Sequence, residues 1–150
     1  MSKCLKLDTK EPSLTATFEL TRRTGKNQSL AKGNQIINSN DRMHFIVKSK
    51  ITDYLRQLAR KTMTSESYSR EAPYYSENRP CLVLVTVYPP THRRFDAPNI
   101  YPTVKALIDG MTDAGVWSDD NNKIIKAISF TCGGVSGSKA YKVEISISEV

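Results

Sequence analysis

Between His92 and Lys123 the chain reads HRRFDAPNIYPTVKALIDGMTDAGVWSDDNNK, with arginines, isolated aspartates and one lysine flanking a short apolar segment. Carboxylate oxygens are the ligands that Mg²⁺ and Mn²⁺ prefer, and a nearby cation can stabilise charge building on a leaving oxygen. Asp96, Asp119, Asp120 and Lys105 therefore have the chemistry of a metal-assisted phosphodiester hydrolysis site. Carboxylates brought together from separate loops repel unless a cation lies between them, and that cost is the physical reason to expect a metal. Each residue also has a plainer reading. Asp119-Asp120-Asn121-Asn122 suits a polar turn, Asp96 can be neutralised by Arg93 or Arg94, and Lys105 can pair with Asp109 at i,i+4 for about 0.3–0.5 kcal/mol. His92 can be a general base, a phosphate contact or an idle surface group, and its arginine neighbours oppose its protonation.

The elements that must position these residues follow from periodicity. Leu14, Ala16, Phe18 and Leu20 alternate with Thr15, Thr17 and Glu19, which predicts a half-buried strand. The basic, amide-rich stretch TRRTGKNQSLAKGNQIINSN predicts a loop or irregular hairpin with a small share of the core. From Asp41, Phe45, Val47, Ile51, Tyr54, Leu55 and Leu58 recur at helical spacing, with Asn40 or Asp41 as the cap and a fade near Thr62–Ser65. A polar linker follows, whose Tyr68, Tyr74 and Tyr75 either stack on bases or cover the edge of the core.

The run CLVLVTVY, Cys81 to Tyr88, predicts a central strand covered on both faces, and Pro89-Pro90 then turns the chain out of the sheet. Pro102 suits the first turn of a second helix, with Val104, Leu107, Ile108 and Met111 on one face, Lys105 and Asp109 on the other, and Gly115 as its left-handed cap. Ile124 to Thr131 and Tyr141 to Ser148 predict two strands joined as an antiparallel pair. If the second helix packs back across the sheet, the loops bearing Asp96 and Asp119-Asp120 end near one edge. The resulting fold class is α+β: a single domain over 1–150, with 1–12 as an N-terminal arm, a mixed or antiparallel sheet, two main helices and the order β-α-β-α-β-β.

The balance of 22 Lys plus Arg against 15 Asp plus Glu, a net charge of +7, favours a partner with a negative surface, nucleic acid first. Cys4, Cys81 and Cys132 show neither paired nor C-x-x-C spacing, which argues against a disulfide framework or zinc site and for a reducing compartment. There is no signal-peptide h-region, and no apolar run approaches the ~20 residues of a membrane span. A cytoplasmic protein is expected.

The segment resembles the RusA family of Holliday junction resolvases. In that family an arginine run precedes an Asp-x-Asp-Asn motif, followed by a helix bearing a lysine and a Gly-hydrophobic-hydrophobic-x-Asp-Asp element. Here Arg93-Arg94-Phe95-Asp96-Ala97-Pro98-Asn99, Lys105-Ala106-Leu107-Ile108-Asp109 and Gly115-Val116-Trp117-Ser118-Asp119-Asp120 take those places. The likeness spans about Leu14 to Val150. It implies a homodimer, often carried by prophages, that binds a four-way DNA junction and nicks two strands symmetrically with Mg²⁺, or Mn²⁺. It also points to Asp96, Lys105, Asp119 and Asp120 as catalytic residues and the three aspartates as metal ligands; Arg93, Arg94 and His92, with some of Arg22, Arg23 and Lys26, are the expected DNA phosphate contacts. Pro98 stands where the family has its second aspartate, and two extra residues lie between Asn99 and Lys105. Either Asn99 or Asp109 supplies the missing oxygen, or fewer protein ligands suffice, or cleavage is impaired and a branched-DNA-binding protein remains. A basic RNA-binding domain is a third reading, opposed by the lack of an exposed aromatic pair on the strands.

Overall fold

The computed structural model describes residues 14–65 and 74–150; the arm over 1–12, Cys4 and Tyr68 lie outside the described residues. The apolar alternation of the first segment forms β1 (Leu14–Leu20), whose Leu14, Ala16, Phe18 and Leu20 are buried. It is followed by α1 (Phe45–Ser65), β2 (Cys81–Tyr88), α2 (Tyr101–Asp113), β3 (Ile125–Cys132) and β4 (Tyr141–Glu149). The four strands form one mixed sheet in the order β1-β4-β2-β3. β4 is antiparallel to both β1 and β2, whereas β2 and β3 are parallel. The α+β class and the element order are those the periodicity predicts.

The pairing of the last two strands is not. β3 and β4 are separated by β2, so the glycine-rich link after Cys132 crosses the end of β2 and does not close a hairpin. Two extended runs separated by Gly and Ser resemble a hairpin locally, but here the apolar β2 forms ladders on both of its edges.

β2 is central, yet only one of its faces is covered. Cys81, Val83, Val85 and Val87 are buried, while Leu82 and Leu84 are 38% and 42% exposed beside Ser148 and Ser146 of β4. The core forms on the opposite face, where Ile51, Leu55, Ala59 and Met63 of α1 and Val104, Leu107, Ile108 and Met111 of α2 meet the sheet. A continuous apolar run does not reveal how many layers will cover it.

α1 begins at Phe45, the first residue of its apolar pattern and four residues beyond the expected cap at Asp41. Asp41 does not cap it; the His44 Nδ1 accepts from the Ile46 N–H at 3.2 Å, and Phe45 and Ile46 stay exposed. The preceding loop contributes more to the core than its polarity implies. Ile36 and Ile37 are buried, and Asn34, fully buried, accepts from the Arg23 N–H at 2.9 Å and donates to the Gln28 and Ile36 carbonyls. The amide-rich composition thus serves internal hydrogen bonding, as burial of a polar side chain requires. Thr103 Oγ1 of α2 accepts from the Ile37 N–H at 2.8 Å and donates to its carbonyl, tying this loop to the second helix.

α2 starts with Pro102 in its first turn and ends in paired bonds from Gly115 N–H to Thr112 O and from Val116 N–H to Met111 O, with Gly115 at φ +84°. Midway along it, Gly110 lies against α1. A Cβ there would come within 2.2 Å of the Arg56 carbonyl oxygen and 2.8 Å of the Ala59 Cβ. Helix propensity alone favours Ala over Gly by about 1 kcal/mol, but overpacking against backbone outweighs it. Gly110→Ala is therefore expected to lose about 1–2 kcal/mol net, seen as a lower urea midpoint at unchanged m-value.

Candidate active site

Two groups of functional side chains are assembled at different places. The first grows from the exposed face of α2. One turn apart on the helix, Lys105 Nζ donates to Asp109 Oδ1 at 2.9 Å, and it also donates to Asp120 Oδ2 at 2.5 Å. Asp120 arrives from the loop after α2, where the Ser118 N–H donates to Tyr75 O and the Trp117 indole N–H donates to Thr112 Oγ1 at 2.6 Å. Asp119 is turned back on its own loop, with Oδ1 accepting from the Asp120 N–H and Oδ2 from the Asn121 amide. Burial alone would lower the Lys105 pKa, but the two carboxylates outweigh it and hold the ammonium above its ordinary 10.5. The hydrogen bond from Lys105 in turn holds Asp120 below the usual carboxylate value.

The like charges of Asp109 and Asp120 are thus bridged by the lysine. This removes the argument that a metal is needed to bring carboxylates together here. Among the described residues, no three of His, Cys, Asp and Glu are close enough to hold an ion. Parallel pairing explains the dispersal. The end of β2 and the start of β3, beside which the loops carrying Asp96 and Asp119-Asp120 lie, are at opposite ends of the sheet. Only the return of Asp120 to the second turn of α2 narrows the gap.

The second group surrounds a cleft of about 610 Å³ beyond the end of β2, with Arg22, Asn38, Arg93, Arg94, Phe95, Asp96, Asn99 and Tyr141 among its walls. Pro89-Pro90 turn the chain out of the sheet as predicted, and a single 3₁₀ turn, Ala97–Ile100, follows Asp96. The Asp96 carboxylate makes no cap, and among the described residues neither it nor the Arg93 and Arg94 guanidiniums have an ion-pair partner. Asn99 shares this cleft with Asp96, whereas Asp109 stands with Lys105. Of the two candidates for the missing ligand, only Asn99 is therefore grouped with Asp96. His92 is exposed beside the cleft-wall arginines; Lys26 is exposed on the turn Gly25–Asn27, and Arg23 borders a smaller hollow of about 340 Å³ that it shares with Arg22.

Asp41 organises the cleft wall, a role its sequence position did not suggest. Its carboxylate takes two bonds from Arg22, at 3.0 and 2.8 Å, and one from the Asn38 N–H at 2.9 Å. Asn38, Phe95 and Tyr141 were likewise not singled out; the only local hint was an aromatic residue set between two arginines and an aspartate. Tyr75 is buried and Tyr74 is half-buried under the Arg79 guanidinium, 4.4 Å from its ring centroid, so both serve the edge of the core.

Mg²⁺ commonly retains waters and takes one or two carboxylates together with substrate phosphates. The unpaired Asp96 with Asn99 nearby, or Asp120 once released from Lys105, fits such a site. A cage of three carboxylates is not present among the described residues.

No family model matches the chain, and no curated protein matches it. Among solved structures, it is similar to the thiamine monophosphate kinase of Aquifex aeolicus, at 9% identity and a TM-score of 0.32. That match covers 96% of this chain and 36% of the kinase chain, and likeness at this level carries no functional argument. No helix among the described residues is long and apolar enough to cross a membrane.

Burial tends to raise the Asp41 pKa, but hydrogen bonds from Arg22 and the Asn38 backbone outweigh it, and the carboxyl titrates below 3.8. A depressed folded-state pKa adds stability above the unfolded value and loses it as pH falls through the folded value. Asp41→Asn should cost about 1.5–3 kcal/mol near neutrality. Paired urea titrations should show that difference to be full above about pH 4 and to shrink as the pH falls further.

Proposed function

We propose that the chain is a metal-dependent, structure-specific endodeoxyribonuclease of the RusA type, which resolves four-way DNA junctions by paired symmetric nicks. The observation that best supports this reading is the grip of Asp120 and Asp109 on Lys105, which joins two motif elements distant in sequence. The net charge of +7 and the unpaired Arg93 and Arg94 favour a polyanionic substrate. Two symmetric cuts are best served by a C₂ homodimer, acting in the cytoplasm of a bacterial or phage-infected cell.

Asp96 with Asn99, or Asp120 once released from Lys105 with Asp119 beside it in sequence, would hold Mg²⁺ or Mn²⁺ together with substrate phosphate, and the ion's chemistry when bound would be to polarise the phosphoryl oxygen and acidify water. Lys105, released from one of its carboxylates, places an ammonium where charge develops on the leaving oxygen. Arg93, Arg94 and His92 bind neighbouring phosphates, and Arg22, Arg23 and Lys26 extend the basic track. In the RusA-like scheme the open valences on Asp96 are as important as the paired ones on Asp120.

A second reading has its own support. Pro98 in place of an aspartate, together with the lack of a carboxylate trio among the described residues, favours a junction-binding protein of the same fold that does not cut.

A synthetic mobile four-way junction, incubated with and without Mg²⁺ or Mn²⁺, separates the two. Metal-dependent paired nicks are expected, with Asp96→Asn and Asp120→Asn each slowing cleavage by at least ~100-fold and Lys105→Ala by roughly 100- to 1,000-fold. Full cleavage by Asp120→Asn would remove the scheme, and junction binding with no cleavage in either metal would establish the second reading. Arg93→Ala should weaken junction binding and reduce the slope of log K against log salt by about 1.

A further inference from the structure

We infer that Asp109 is a positioning residue that retains the Lys105 ammonium when Asp120 is given over to a metal ion, so that the lysine passes from two carboxylates to one and is not released. The inference rests on the nuclease reading of the site and adds how that site changes from its closed to its loaded form.

The two carboxylates that hold Lys105 are held in different ways themselves. Lys105 and Asp109 are one turn apart on α2, whose opposite face is buried against the sheet and α1, so backbone geometry fixes their spacing. Asp120 comes from the loop between α2 and β3, and its bond to Lys105 spans 15 residues of sequence. A loop carboxylate can turn away without disturbing the helix, whereas the i,i+4 pair persists as long as the helix does. An ammonium carries three N–H donors and no acceptor. In the closed site two of them are engaged, by Asp109 and Asp120. Once Asp120 turns away, two are open to a substrate oxygen while the third stays on Asp109 and sets the direction of the group. Without Asp109, Lys105 has either to follow Asp120 or to swing into water.

Two plainer roles for Asp109 predict different behaviour. As a metal ligand it would need companions, and among the described residues it belongs to no group of three metal-ligating side chains. As a surface pair on a helix it would add little to stability and nothing to rate. A loss of rate without a loss of stability or of metal affinity is therefore the mark of positioning.

The test compares the full chain with Asp109→Asn and Asp109→Glu in single-turnover cleavage of a mobile four-way junction, urea unfolding, Mn²⁺ binding followed by EPR, and nitrogen NMR of the lysine ammonium groups, with Lys105 assigned through Lys105→Arg. Asp109→Asn should cleave roughly tenfold more slowly at saturating Mg²⁺, with an unchanged urea midpoint and metal-free junction affinity within about twofold. Its Mn²⁺ affinity should stay within about threefold of wild type. Asp109→Glu, which keeps a carboxylate one turn from Lys105, should recover most of the rate. In wild type the Lys105 signal should shift on adding Mg²⁺ and persist; in Asp109→Asn it should persist without Mg²⁺ and be lost to solvent exchange with it. A wild-type rate and a persistent signal in Asp109→Asn would overturn the inference, and Mn²⁺ affinity lowered by more than roughly 30-fold would overturn it in favour of a ligand role. Metal-dependent cleavage with no response of the Lys105 signal to Mg²⁺ would remove the hand-over and leave the nuclease reading intact. Neither cleavage nor metal binding would remove that reading and the inference with it. In a chain that binds metal and junction without cutting, the Lys105 spectra alone decide.

Discussion

β2 and β3 run parallel, so the chain between them must travel the length of the sheet before it can re-enter it. α2 is that return path. Its buried face of Val104, Leu107, Ile108 and Met111 seats it on the sheet, and Gly110 lets it approach α1 at backbone distance. Lys105 is therefore held on a rigid, doubly packed element. The same constraint separates the two loops that flank α2, because one leaves the end of β2 and the other enters the start of β3.

The chain after α2 partly offsets that separation. Gly115 ends the helix, Trp117 and Tyr75 anchor the following segment through a parallel bridge, and Asp120 then reaches back toward the second helical turn. The resulting site has two electrostatic characters. Around Lys105 the charges neutralise one another, and the ammonium and the Asp120 carboxylate each stabilise the other's ionised form. Around Asp96 the charges are open: unpaired arginines and an unpaired carboxylate line a common cleft. Paired groups set geometry; open groups invite a ligand, since unmet positive charge is what a polyanion can satisfy.

The polar loop before α1 links these halves. Asn34 and Thr103 satisfy buried backbone groups and fix the loop against α2, and Asp41 fixes both Arg22 and Asn38 at the cleft. Its amide-rich composition has the appearance of a solvent-exposed turn in sequence. Burial of a polar side chain leaves no periodic trace, because its partners are backbone groups whose positions depend on the final fold.

Much was nonetheless legible in the residues alone. Period-two alternation identified β1, the apolar spacing with Pro102 and Gly115 delimited α2, and the i,i+4 spacing of Lys105 and Asp109 foretold their contact. These features depend on local geometry, which a few consecutive residues determine. Strand neighbours, the uncovered face of β2, the bridging of carboxylates by Lys105 and the cleft shared by Asn38, Phe95, Asp96 and Tyr141 depend on residues far apart in sequence. Sequence determined the elements and the chemical groups they carry; tertiary structure decided which groups meet, because long-range packing selects one strand order among several with the same local pattern.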